Sequence, residues 1–164
     1  MKSSILMDFS VDKVNKEINI SREFAAPIEK VWAAWTESDL LDQWWAPKPW
    51  KARTKSMDFK AGGHWLYAMV GPDGEEHWGR VDYESIYPLK NFTALDGFSD
   101  SEGKLLPDFP QNHWDTHFKE KSNSTQVDIK LTFNSLSDLE KIIEMGFKEG
   151  FIAALENLDE LLKA

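Results

Sequence analysis

Apolar and polar positions along the chain change period several times, and each change marks an element. Between Lys16 and Phe24, Ile18, Ile20 and Phe24 fall on one face, while Glu17, Asn19, Ser21 and Glu23 fall on the other. That alternation is the pattern of a half-buried strand. Pro27 then opens a helix at a position where its missing N–H costs nothing, with Val31, Trp32, Ala34 and Trp35 at helical spacing. Ser38 is an N-cap for a second short helix over 39–45, stopped by Pro47 and Pro49. Strands are predicted over 51–59, 64–70, 75–87, 90–98, 112–120 and 125–133. Gly62-Gly63 separates the first two of these, and Pro72-Asp73-Gly74 is a strong turn signal between the next two. The last strand alternates cleanly through Val127, Ile129, Leu131 and Phe133. Ser99 to Gln111, with Gly103, Pro107 and Pro110, reads as a long loop.

Ser137 and Glu140 have the spacing of a capping box. A stripe from Leu139 through Ile142, Phe147, Phe151, Leu155 and Leu158 to Leu162 predicts one long terminal helix. The expected order is strand, two short helices, six strands, long helix. An α+β fold with a curved antiparallel sheet of about seven strands around the C-terminal helix satisfies both apolar faces. Residues 1–164 are expected to form a single domain, with 1–12 as a loosely held N-terminal segment.

Composition narrows the function classes. With 164 residues and 41% apolar content the chain can bury a sizeable core. The net charge is -9, and Lys and Arg are scattered singly. Nucleic acid and anionic membrane surfaces are therefore disfavoured partners. The absence of cysteine excludes disulfides, Cys-zinc sites and thiol nucleophiles. The apolar run Ile5-Leu6-Met7 is too short for a signal-peptide core, and no stretch reaches the length of a membrane span. A cytoplasmic protein is the expectation.

The eight tryptophans carry the functional signal. Large aromatic side chains bury much area and set the shape of a cavity. Strand parity groups Trp65 with Tyr67 and Met69, Val81 with Tyr83, and Trp114 with Phe118, and the terminal helix adds Phe147 and Phe151. If all face inward they line either a hollow or a solid core. Trp44 and Trp45 would sit near the mouth as a lid. Gly146 and Gly150, one turn apart on the apolar side, imply either a thinned helix wall or tight packing against an indole. Arg22 shares a face with Ile18, Ile20 and Phe24. It is a candidate polar group for the cavity, paired with an acid such as Asp58 or Glu23, or else it reaches water at the strand end.

His113 and His117 have the spacing of a helical zinc pair, but in a strand four residues span roughly 13 Å, so both cannot grip one ion. No metal site is expected, and His113, Asp115 and His117 read as a solvated face. No Gly-x-Ser-x-Gly elbow or P-loop is present, and no catalytic set is assigned. Tyr67 and Tyr83 are the inward candidates should a proton transfer occur.

The motifs resemble a known family. Arg22-x-Phe24-x-x-Pro27, Val31-Trp32-x-Ala34-Trp35-Thr36, the pair Trp44-Trp45, Asp58-x-x-x-Gly62-Gly63-x-Trp65, Pro72-Asp73-Gly74, Gly79 and Pro88 are similar to those of the activator of Hsp90 ATPase homologue (AHSA1-like) group. That group lies within the START-like, or SRPBCC, helix-grip superfamily, whose fold is Bet v 1-like. Gly150-Phe151 stands where the family usually has Gly-Trp, and Lys60 where Arg is common. The resemblance covers roughly residues 16–163. It implies a helix-grip fold and raises the expectation of a cavity. The eukaryotic activator after which the group is named carries an additional N-terminal domain, for which these 164 residues leave no room. A chaperone-activating role is therefore not carried over on the resemblance alone.

The leading expectation is noncatalytic binding of a small, largely apolar, aromatic-type molecule between sheet and helix, with no cofactor. Trp44, Trp45, Trp65, Tyr67, Met69, Tyr83, Trp114, Phe147 and Phe151 are the candidate ligand-binding residues. The alternatives are a chaperone cofactor of the Hsp90 type, and a small enzyme acting on an aromatic or polyketide-like substrate, as some superfamily relatives are.

Overall fold

The computed structural model describes residues 7–109 and 111–163. Its elements run β1 (Met7–Asp12), β2 (Glu17–Phe24), α1 (Ile28–Thr36), α2 (Ser38–Trp44), β3 (Lys51–Met57), β4 (His64–Val70), β5 (Glu76–Tyr87), β6 (Asn91–Ser99), β7 (Asn112–Glu120), β8 (Thr125–Thr132), α3 (Leu136–Glu144) and α4 (Phe147–Lys163). All eight strands form one antiparallel sheet in the order β1-β2-β8-β7-β6-β5-β4-β3. β3 to β8 is a simple meander. The chain crosses from β2 to the far edge through α1 and α2. Register shifts between Thr54 and Ser56 and between Tyr83 and Ser85 bulge β3 and β5, and such bulges bend a sheet. The expected helix-grip fold is what forms.

Two features differ from expectation. Residues 7–12 are not a loose segment: they pair along their whole length with β2, Met7 opposite Arg22 and Asp12 opposite Glu17. They make the eighth strand where about seven were expected. The burial of this edge strand is shallow, so the pattern there is too weak to read from sequence. The terminal helix is also broken. Ser135, rather than Ser137, caps α3, its side chain accepting from the Asp138 N–H at 3.1 Å. The helix stops at Met145, and Gly146 takes a φ of 87°. That left-handed conformation at the position after a helix end is where glycine is favoured. The apolar stripe runs on across the break, so its period conceals the interruption.

The core lies between the inward sheet face and α1, α2 and α4. Ile18, Ile20, Val127, Ile129 and Leu131 point inward from β2 and β8, and Phe151, Ala154, Leu155, Leu158 and Leu162 meet them from α4. Each such large side chain contributes about 1.5–3 kcal/mol when fully buried. Arg22 shares the inward face of β2, but its partner is neither Asp58 nor Glu23. Its guanidinium lies 3.5 Å from Asp159 on α4, and over the Phe24 ring at 5.4 Å. The pair joins helix to sheet, and Arg22 is not a cavity group. His113 and His117 face outward, 2.9 Å from Glu84 and Asp115 respectively.

Candidate ligand cavity

A cavity of about 300 Å³ lies between the sheet at β4–β8 and the cover formed by α3, the Met145–Gly146 break and the start of α4. Tyr67, Met69, Trp114, Phe147 and Phe151 line it, and so does Trp45. Its size is at the lower end of small-molecule sites, which run from about 300 to 1,000 Å³. A separate void of about 30 Å³ lies deeper, walled by Trp65, Tyr83, Phe92 and Thr116 among others. Trp65 and Tyr83 therefore belong to the small void and not to the larger cavity. Trp44 belongs to neither. It is fully buried, its indole N–H donates to the Ala34 carbonyl at 2.9 Å, and its ring packs at 4.8 Å from Trp35. It is core, not lid.

The hollow exists because three positions withhold side chains. Gly79 faces Tyr67, and a Cβ there would lie 2.7 Å from the phenol oxygen, so the ring lies down over β5 instead of filling the space above it. At the helical cover, Gly146 and Gly150 both line the cavity. Gly150 meets no indole; the nearest neighbour of a Cβ would be Pro47 at 3.9 Å. The thinned-wall alternative is the one realised. Phe147 and Phe151 stack on each other at 5.3 Å, and Trp114 meets both edge-on at 6.1 and 5.6 Å. Trp45 stands between the cavity and the void, with ring contacts to Trp65, Tyr67, Trp114 and Phe151. Two carbonyls flanking it, of Trp44 and Ala46, accept from the Asn157 amide on α4 at 3.4 and 3.0 Å.

Among the described residues, one carboxylic acid stands in this aromatic wall. Asp96 follows Phe92 and Ala94 on the inward face of β6 and lines both hollows. It keeps some surface at the cavity wall, yet protein encloses it closely enough that desolvation pushes its carboxyl up to about 7. The Trp114 and Asn112 side chains and backbone N–H groups offset part of that rise. Asp96 Oδ1, Asn112 Oδ1 and Trp114 Nε1 are nonetheless buried without a well-formed hydrogen bond among the described residues. Asp96 and Asn112 are register partners across β6 and β7, a pairing that holds Cβ atoms about 4.5–5.5 Å apart. Burial also raises the Tyr67 phenol well above its ordinary value, softened by Trp45 and reinforced by the Asp96 charge. Burial raises Tyr83 likewise, with Tyr67 adding to it. Both phenols are neutral donors at neutral pH, not bases.

The family model described as Activator of Hsp90 ATPase homolog 1-like protein matches residues 25–163. The chain belongs to this family. A solution structure of a protein from Arthrobacter aurescens is 31% identical, with 95% of this chain and 91% of that one covered and a TM-score of 0.90. Protein Ms6760 from Mycobacterium smegmatis is 29% identical, with 96% of each chain covered and a TM-score of 0.88. CalU16 from Micromonospora echinospora, 16% identical over 98% of this chain and 87% of that one with a TM-score of 0.63, shares the fold alone. No curated protein matches. In this member of the activator-homologue family the shared motifs are mostly scaffold. Gly62 donates to the Tyr83 carbonyl at 2.9 Å and Tyr83 to that of Gly63 at 3.0 Å, which ties the β3–β4 turn to β5. Trp45, Gly79 and Gly150-Phe151 are motif positions that reach the cavity. No helix among the described residues is long and apolar enough to cross a membrane.

Proposed function

We propose that this protein binds a small, largely apolar molecule in the cavity between its sheet and α3–α4, without chemical change to it. The observation that carries this reading is a 300 Å³ hollow walled by aromatic rings and held open by glycines. An interior free to collapse fills such a space, because each unfilled volume forfeits packing energy. Family membership supports the same reading, since the fold is a ligand-binding one. A panel of small arenes and aliphatics, followed by tryptophan fluorescence and thermal shift, tests it. Several compounds are expected to raise the melting temperature and quench fluorescence. A panel with no stabilising member would remove the proposal.

A second reading is favoured by Asp96 alone. A carboxyl poised near neutrality beside neutral Tyr67 suits proton transfer on a bound substrate. In that case Asp96, not Tyr67 or Tyr83, is the base. Loss of turnover in Asp96→Asn with substrate binding retained would support it, and unchanged turnover would refute it. The Hsp90-type cofactor role has the family description as its support, and a pull-down with Hsp90 and an ATPase assay would decide it.

A further inference from the structure

The reading of the hollow as a binding cavity, on which this inference rests, leaves open what the ligand presents to the wall, and the polar atoms narrow that. Asp96 Oδ1 and Asn112 Oδ1 are acceptors on neighbouring strands, both buried, and no protein group makes a well-formed hydrogen bond to either among the described residues. No Lys, Arg or His among the described residues lines the cavity. A carboxylate enclosed in apolar surroundings is costly unless a cation and hydrogen-bond donors meet it. None of the described lining residues supplies such a cation. The rest of the wall is rings, including Trp45, Trp114 and Phe151, whose faces attract cations.

We propose that the cavity takes a small apolar amine, whose protonated nitrogen sits on the Asp96 carboxylate beside Asn112 while its hydrocarbon part lies against the aromatic wall. An ammonium group supplies the positive charge that the described lining lacks, and N–H donors in addition to those of Trp114 and Asn112. An alcohol supplies one donor and no charge. A carboxylate ligand meets like charge. The Trp114 N–H lies near enough to Asp96 to favour its anion, which is the form an ammonium group needs. The net charge of -9 favours the approach of cations over anions. The titratable groups facing Asp96 are Tyr67 from β4 and, at the smaller void, Tyr83 from β5, both neutral. The linker after α2, β7, β8, α3 and α4 present Trp45, Trp114, Leu131, Ile142 and Phe151.

Calorimetric titration with 2-phenylethylamine, 2-phenylethanol and phenylacetate separates the possibilities. At about pH 8 the amine is expected to bind about tenfold or more tightly than the alcohol, and phenylacetate most weakly. In Asp96→Asn the amine and the alcohol should agree within about twofold. Wild-type protein provides an arm that needs no variant. At about pH 5.5 Asp96 takes up its proton while the amine stays charged, so the amine's advantage shrinks. Equal binding of amine and alcohol at the higher pH, or an amine preference that survives Asp96→Asn, overturns the inference and leaves the cavity reading standing. If none of the three binds and neutral arenes such as naphthalene do not bind either, the cavity reading falls and takes the inference with it.

Discussion

The two aromatic regions of this protein are built from the same residue types and do opposite things. At the α1–α2 end, Trp35 and Trp44 interlock edge to face, Trp32 packs at 4.9 Å from Phe118, and the void that Trp35 borders is only about 30 Å³. At the α3–α4 end, Trp114, Phe147 and Phe151 touch one another but enclose a cavity of about 300 Å³. The rings themselves do not account for the contrast. At the first end continuous helices lay bulky side chains against the sheet. At the second the cover is interrupted at Gly146, bare at Gly150, and opposed by a strand that is bare at Gly79. A cavity in this fold is thus set by where side chains are missing from the cover, not by how many rings point inward.

The largest expected effect separates the two regions directly. Trp44→Ala removes a fully buried indole and its hydrogen bond to Ala34, and should cost about 3–5 kcal/mol in urea unfolding. Phe147→Ala removes a half-buried ring beside space that is already empty, and should cost roughly half as much while weakening ligand binding. Equal costs would show that the two regions are packed alike.

Asp96 should give the next largest effect, and its sign is set by burial. Its folded-state carboxyl is raised, so the folded protein holds this proton more tightly than the unfolded chain does. The contribution is favourable below about pH 4, is lost between about pH 4 and 7, and stays lost above. That rise corresponds to roughly 4 kcal/mol as an upper bound, reduced by whatever water reaches the cavity. Asp12, Glu76 and Asp100 are shifted downward by their hydrogen bonds and act in the opposite direction, so the difference between wild type and Asp96→Asn is the quantity to measure. The variant should gain on wild type as pH rises from 4 to 7. A constant difference would mean that Asp96 is not desolvated.

The smallest effects concern the cover. Gly146→Ala forces an L-residue into left-handed backbone and should cost about 1–2 kcal/mol. Gly150→Ala has room, and it should stabilise α4 by about 1 kcal/mol while narrowing the cavity. Thermal melts of the two variants moving in the same direction would contradict this account of the break.

Much of the scaffold is legible from pattern alone. Val127, Ile129 and Leu131 alternate as a half-buried strand must, and they are buried. Among the family motifs, Gly62-Gly63 and Pro72-Asp73-Gly74 stand at turns between strands and so lead to the fold. The hollow is not legible, because parity says which way Trp65 and Trp114 point but not which helix surface covers each. Trp44 reads as a lid beside Trp45 because neighbouring positions on a short helix carry no sign of which one turns inward. Arg22 chooses a partner 137 positions away on α4, a pairing that spacing cannot reveal. Two signals were present in the residues. Asp96 shares parity with Phe92, Ala94 and Phe98, a lone acid on an inward face. Gly146 after Met145 has the character of a helix end.

Asn157 grips the backbone on both sides of Trp45, and Trp45 touches residues at the cavity and at the void. Any displacement of α4 that admits a guest must therefore carry this indole along. The chain comes with its own optical gauge: with the other seven tryptophans replaced by phenylalanine where folding allows, emission from this one ring would report occupancy without an added dye.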